Sequence, residues 1–210
     1  MSKINIDTPQ KDEISPAGPT GAERRQQLIL VAYQLIAEKG FEGLRTRAVA
    51  ERVGINHATL HYHFPTKEDL IQGVVDYLIQ QFSAPHTALH PAQASSLELV
   101  RAEFSQINQL HQVPEMIIVL DELSLRALRD PAIAKLLNEM DKGWHSYLSE
   151  LLRSGVRQGA FRVDLDVDLG AMVIMTMIKG IRADVMGKSQ PRIEQISALL
   201  LAQLECWLID

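Results

Sequence analysis

The chain has 210 residues, 46% of them apolar, with 12 Gly, 9 Pro, one Cys and a formal net charge of −5 at pH 7. That length supports one or two globular domains with a substantial core, and a single cysteine excludes an internal disulfide or a Cys-rich zinc site. The longest strongly apolar, charge-free run, Leu169 to Ile178, is half the roughly 20 residues that a membrane-spanning helix needs; with no apolar block behind Lys3, neither a membrane span nor a secretory signal is expected, and the prediction is cytoplasmic.

Charge is unevenly spread. Residues 22–70 carry seven basic and six acidic side chains, a net of +1, and residues 71–210 carry −5. A slightly basic, His-bearing segment therefore precedes an acidic body, a distribution that leaves nucleic-acid binding open only to the first part.

Residues 1–21 hold Pro9, Pro16, Pro19, Gly18 and Gly21 with almost no apolar periodicity, and read as a disordered tail. From Ala22, apolar Leu28, Val31, Leu35 and Ile36 recur at helical spacing, and Lys39-Gly40 closes that helix. Thr46 is placed as the cap of a short helix ending at Gly54, and His57 to Phe64 forms another. Thr66 with Asp69 makes a capping pattern for a helix to about Phe82, followed by a Pro-, His- and Ser-rich linker from Ser83 to Ser96.

Ser95 with Glu98 caps the next helix, whose apolar face is Leu97, Val100, Phe104 and Ile107. Met116 to Leu120, after Pro114, is apolar all round, as in a helix buried on most sides. Asp130-Pro131 opens a long amphipathic helix that Gly155 and Gly159 are expected to interrupt. Two more helices follow, Asp168 to Met186 and one from Pro191 to the end. No stretch alternates with period two, so the fold class is all-α, with about nine helices at ordinary lengths.

Function concentrates in Thr46 to Phe64. Apolar Val49, small Ala50, Val53, Gly54 at the turn, Ile55 and Leu60 have the spacing of a helix-turn-helix: Ala50 permits a close crossing and Gly54 can take the left-handed conformation of a tight turn. At about 100° per residue, with Leu60 and Phe64 inward, Ala58 and Tyr62 point away, flanked by Thr59 and His61.

These residues, above all Thr-Leu-His-Tyr-His-Phe-Pro-Thr-Lys-Glu-Asp-Leu over 59–70, resemble the TetR/AcrR family of bacterial transcription regulators. Weaker echoes are Gly40-Phe41 and Gly155, Gly159, Phe161 and Asp164. The resemblance implies a helix-turn-helix DNA-binding domain over 22–67 and a ligand-binding and dimerisation domain over 68–210. It implies that Thr46 caps its helix and meets a phosphate, Arg47 reaches a base edge or phosphate, and His57 and Ala58 meet bases in the major groove. Thr59, His61 and Tyr62 would contact backbone and Lys67 would clamp a phosphate, with Arg45 and His63 completing the set. Position 61 is often Tyr in the family and is His here, from which a weaker or a pH-dependent phosphate contact is expected. Three histidines in this region predict stronger DNA binding on acidification; His63, near the inward side, also reads as a packing residue.

The body, by the same resemblance, responds to a small, largely apolar ligand. Its pocket is expected between the helices beginning near Leu97, Val113, Pro131 and Asp168. The lining would come from Phe104, Asn108, His111, Met116, Leu120, Trp144, Tyr147, Met175 and Lys179, the last of these reading either as an anion anchor or as a snorkelling side chain. A homodimer would pair Met172, Ile178, Val185, Leu200, Leu204 and Trp207 across a four-helix bundle. Two reading heads about 34–36 Å apart would then fit a palindromic operator on double-stranded DNA.

Other motifs lead nowhere chemical. His57 and His61 have a metal-ligand spacing without a third ligand, Asp164-x-Asp166-x-Asp168 lacks the Gly and Glu of a calcium loop, and Gly187-Lys188-Ser189 lacks the first Gly of a phosphate loop. Cys206 reads as a small buried hydrophobe. No catalytic constellation, cofactor or metal is expected, so the chain reads as a ligand-released repressor and not an enzyme. Two rivals stay open: a DNA binder without an effector, and an all-α carrier or enzyme that retains a degenerate helix-turn-helix.

Overall fold

The computed structural model describes residues 19–88, 94–109, 113–185 and 190–209, without side-chain detail at 83–88, 107–109, 184–185 and 190. Most of the expected N-terminal tail, residues 1–18, lies outside the described residues. Nine α-helices and no strand occur among the described residues, as the absent period-two pattern predicts. They are α1 (Gly21–Lys39), α2 (Thr46–Val53), α3 (His57–His63), α4 (Lys67–Ala88), α5 (Ser96–Gln109), α6 (Pro114–Ala127), α7 (Pro131–Arg157), α8 (Val167–Val185) and α9 (Gln190–Ile209), with one short 3-10 turn, Phe41–Gly43, between α1 and α2.

Short polar side chains set where these helices begin. The Thr20 hydroxyl accepts the Glu23 N–H while the Glu23 carboxylate accepts the Thr20 N–H, a reciprocal cap that starts α1 at Gly21. Thr66 with Asp69 and Ser95 with Glu98 repeat that arrangement before α4 and α5. Asp130 accepts the Ala132 and Ile133 N–H groups at the start of α7, where Pro131 loses no bond. Asp166 accepts the Asp168 and Leu169 N–H groups, so the pseudo-calcium sequence is a helix cap.

Two expected breaks are not breaks. α4 continues through Pro85 to Ala88, across part of the expected linker, although an interior proline gives up its N–H bond and crowds the carbonyl four residues before it. α7 runs through Gly155 to Arg157; a Cβ at Gly155 would overlap the Phe161 ring, so that glycine allows a close approach. The real stop is Gly159, at φ +71°.

Two apolar cores result. The first joins α1, the 3-10 turn, α2 and α3 to the inner faces of α4 and α6 and to Ile133 of α7. The second joins α5, the C-terminal half of α7, α8 and α9 around Phe104, Leu148, Leu152, Ile174 and Leu204. Among the described residues only α6 and α7 place buried side chains in both: on α6, Ile117 packs in the second core and Val119, Leu120 and Leu123 in the first.

Candidate functional site

The helix-turn-helix is built by short-range chemistry. Gly54 takes φ +76° and ψ +32°, the left-handed conformation the turn needs, and the Ile55 N–H returns to the Ala50 carbonyl at 3.0 Å. Asn56 caps α3: its side-chain oxygen accepts the Thr59 N–H at 2.7 Å and the Thr59 hydroxyl at 2.9 Å. Val49, Ala50 and Leu60 are buried, locking α2 against α3. Ala58 is exposed and Tyr62 is 84% exposed, as the wheel drawn from the sequence has them; of its two flanking residues His61 is exposed and Thr59 half-buried, and His63, expected near the inward side, is half-buried as well.

One role changes. Thr46 is the first helical residue of α2, and the position before it, Arg45, makes no side-chain cap. The Thr46 hydroxyl instead shares a hydrogen bond with His57 Nε2 at 3.0 Å, tying the start of α2 to the start of α3. Spacing cannot separate the two, since a threonine at the cap and one residue later give the same pattern. Asn56, absent from the expected set, was visible as a capping residue type before His57.

Arg45, Thr46, Arg47, His57 and Lys67 converge with Leu44 around a recess of about 480 Å³. Arg45 and Arg47 are exposed; Lys67, half-buried, lies 4.6 Å from the centre of the Phe41 ring, and burial lowers the pKa of its ammonium from the ordinary value. The His57 and His61 rings meet edge to face at 4.3 Å, and His61 Nδ1 pairs with the Pro65 carbonyl at 3.2 Å. Among the described residues no third His, Cys, Asp or Glu joins them in a metal-sized group. Cations, hydroxyl and imidazoles beside an exposed helix face can hold phosphate oxygens while the face meets base edges.

The body disperses the expected ligand lining. Phe104, Trp144 and Met175 do share the second core, with Met116 packed against it. Leu120 belongs to the first core: the all-apolar stretch 116–120 serves two cores, so adjacent residues face apart. Tyr147 is exposed. Lys179 pairs with Asp141 at 2.6 Å, joining α8 to α7. Asn108 lies in α5 without a described side chain, and His111 lies outside the described residues. The recess between α7 and α8, about 900 Å³, takes only Met175 and Lys179 from the expected lining.

Glu103 is the residue the sequence reading missed. It is 3% exposed, its Oε2 accepts the Trp144 indole N–H at 3.2 Å, and burial pushes its carboxyl up to about 7. Burial, then the charge of Glu103, raises the Tyr147 phenol to about 12. Its signal was a carboxyl three residues after Val100 and beside Phe104, on the helix face otherwise apolar.

The expected dimer face needs correction. Ile178 and Leu204 are 5% and 1% exposed within the second core, Trp207 stacks under the Arg162 guanidinium at 5.2 Å, and the Val185 side chain lies outside the description. A hydrophobic wheel selects the most apolar face, and that face turns inward. The apolar side chains left outside are Leu169 and Met172 on α8 and Leu199 and Ile209 on α9, with Leu200 half-buried. Cys206 is exposed among them, not a buried hydrophobe.

Comparison with known proteins agrees with this geometry. The family described as "Bacterial regulatory proteins, tetR family" matches residues 28–74, and "BetI-type transcriptional repressor, C-terminal" matches residues 113–208. The HTH-type transcriptional repressor KstR2 of Mycolicibacterium smegmatis is 31% identical over 160 residues, 74% of this chain and 75% of that one. A transcriptional regulator from Saccharomonospora viridis, solved in complex with choline, superposes with a TM-score of 0.73 at 25% identity, covering 90% of this chain and 99% of that chain. FadR of Bacillus subtilis, solved with stearoyl-CoA, gives 0.73 at 23% identity, covering 87% and 98%. Among the described residues no helix is long and apolar enough to cross a membrane. The chain belongs to the TetR family of bacterial regulatory proteins, and is a DNA-binding transcriptional repressor.

Proposed function

We propose that the chain works in the cytoplasm as a homodimer that reads a palindromic operator and leaves it when a small, largely apolar ligand binds the body, with no catalytic step. Residues 22–67 serve as the reading head and 68–210 as the body. The observation that carries this reading is the recess formed by Arg45, Thr46, Arg47, His57 and Lys67 beside the outward Ala58 and Tyr62 face of α3. Phosphate contacts at the recess fix register, and Ala58 with Arg47 reads bases, a good bidentate contact contributing about 1–3 kcal/mol of discrimination.

The homodimer is supported by the exposed apolar side chains of α8 and α9, Leu169, Met172, Leu199 and Ile209, which a lone protomer would leave in water. The choline-bound relative supports a body that admits a small molecule. Ligand shifts α4, and with it the spacing of the two heads; a coupling of about 1–3 kcal/mol is enough for a usable response.

The test is selection of bound duplexes from a random pool, with and without a fractionated extract of small molecules. An enriched palindrome lost on adding one fraction is the expected result. Enrichment that no fraction reverses would leave a DNA binder without an effector, and no enrichment at moderate salt would reject sequence-specific reading altogether.

A further inference from the structure

We propose that Glu122 of α6 is a positioning residue for DNA reading, a latch through which the body holds the segment that aims the start of α2. This rests on the reading of the chain as an operator-binding repressor. The 3-10 turn Phe41–Gly43 begins with an N–H that no residue within the turn can accept. Phe41 is only 6% exposed, so water does not reach this donor freely. Its partner is Glu122 Oε2, 2.7 Å away and 81 residues along the chain.

The fit is built from both sides. Gly40 takes φ +70°, and a Cβ there would lie 3.2 Å from Glu122 Oε2, so glycine both adopts the strained backbone and leaves room for the carboxylate. Around the same turn, the Phe41 ring centre is 4.6 Å from the Lys67 ammonium and 5.1 Å from the Arg126 guanidinium. Arg126, on the same helix as Glu122, also pairs with Glu42 at 3.5 Å. Leu44, 1% exposed, follows directly and leads into Arg45, Thr46 and Arg47 at the recess.

α6 is anchored at its other end in the body, where Ile117 packs in the second core with Phe104. A displacement of α6 by events in that core moves Glu122 against Phe41, and the phosphate-facing segment that begins four residues further on, at Arg45, moves with it. A carboxylate with a purely structural role would stabilise the fold without affecting the choice of DNA.

The full-length protein is measured on its selected operator and on an unrelated duplex at one salt concentration, as wild type, Glu122→Ala and Glu122→Gln. Glu122→Ala is expected to lose about tenfold in operator affinity, because the Phe41 donor is left unsatisfied and the segment unfixed. Its affinity for the unrelated duplex stays within about twofold, since the cations that release counterions are untouched. Glu122→Gln, whose amide oxygen still accepts, restores most of the loss. Equal operator affinity for wild type and folded Glu122→Ala overturns the latch. A wild type with no preferred duplex defeats the repressor reading itself. Should Glu122→Ala not fold, Glu122→Asp decides on the same two duplexes: its carboxylate, one methylene short of the Phe41 amide, should lower operator affinity severalfold while sparing the unrelated duplex, and unchanged operator affinity overturns the latch.

Discussion

The first and second cores are built on different principles. The first rests on short helices whose ends are set by neighbours in sequence, Gly54 turning and Asn56 capping within a few residues of each other. Its outward face is polar, ready for a charged polymer. The second rests on long helices from distant parts of the chain, and it accepts a carboxyl, Glu103, that an apolar interior opposes. A reading head must present one geometry, which local rules enforce, whereas a responsive body needs a state that a bound molecule can displace. α6 and α7, packing in both cores, are where the two meet.

Four measurements break or sharpen that contrast, beginning with the largest effect. Leu60→Ala removes a side chain fully buried between α3 and the first core and is expected to cost about 3 kcal/mol. Amide exchange should show the loss first in α2 and α3, and even loss across α5, α8 and α9 would contradict two separable cores.

Glu103 makes the second core pH-sensitive in an unusual direction. Its folded-state value, about 7, lies above the ordinary 4.5, so the unfolded chain releases this proton first. The contribution to stability is full below about pH 4.5 and declines as pH rises through 7, by up to about 3 kcal/mol in total. Urea titrations between pH 5 and 8 should show that slope, and Glu103→Gln, which can still accept from Trp144, should flatten it. An unchanged slope in the variant would place the titration elsewhere.

Gly155→Ala forces α7 away from the Phe161 ring and is expected to cost about 2 kcal/mol by urea unfolding while leaving the head intact. Asn56→Ala, smallest of the four, removes the α3 cap and costs about 1 kcal/mol. Its effect should be larger on operator affinity than on global unfolding, because the frayed end carries His57 and Ala58. Wild-type affinity in that variant would argue against base reading from the start of α3.

Legibility followed the same divide. The helix-turn-helix, its outward residues and the caps at Thr66, Ser95 and Asp130 were readable because each involves residues within one turn. Thr46 was misjudged by one position, a shift too small for spacing to resolve. The ligand lining and dimer face were not readable in the same way. Periodicity finds an apolar face without saying what covers it, and Ile178 and Leu204 were assigned to a partner when their own chain buries them.

The sequence by itself determined the all-α class, the order of the helices and the chemistry of the reading head, since backbone turns, caps and helical period are local consequences of residue type. Tertiary structure alone decided that Leu120 faces one core while Ile117 faces another, that Lys179 is held by Asp141, that Glu103 is buried against Trp144, and that Glu122 grips the Phe41 amide. Those pairings join residues 38, 41 or 81 positions apart. No local preference encodes them; they form because packing several helices against one another brings those polar groups within reach of each other.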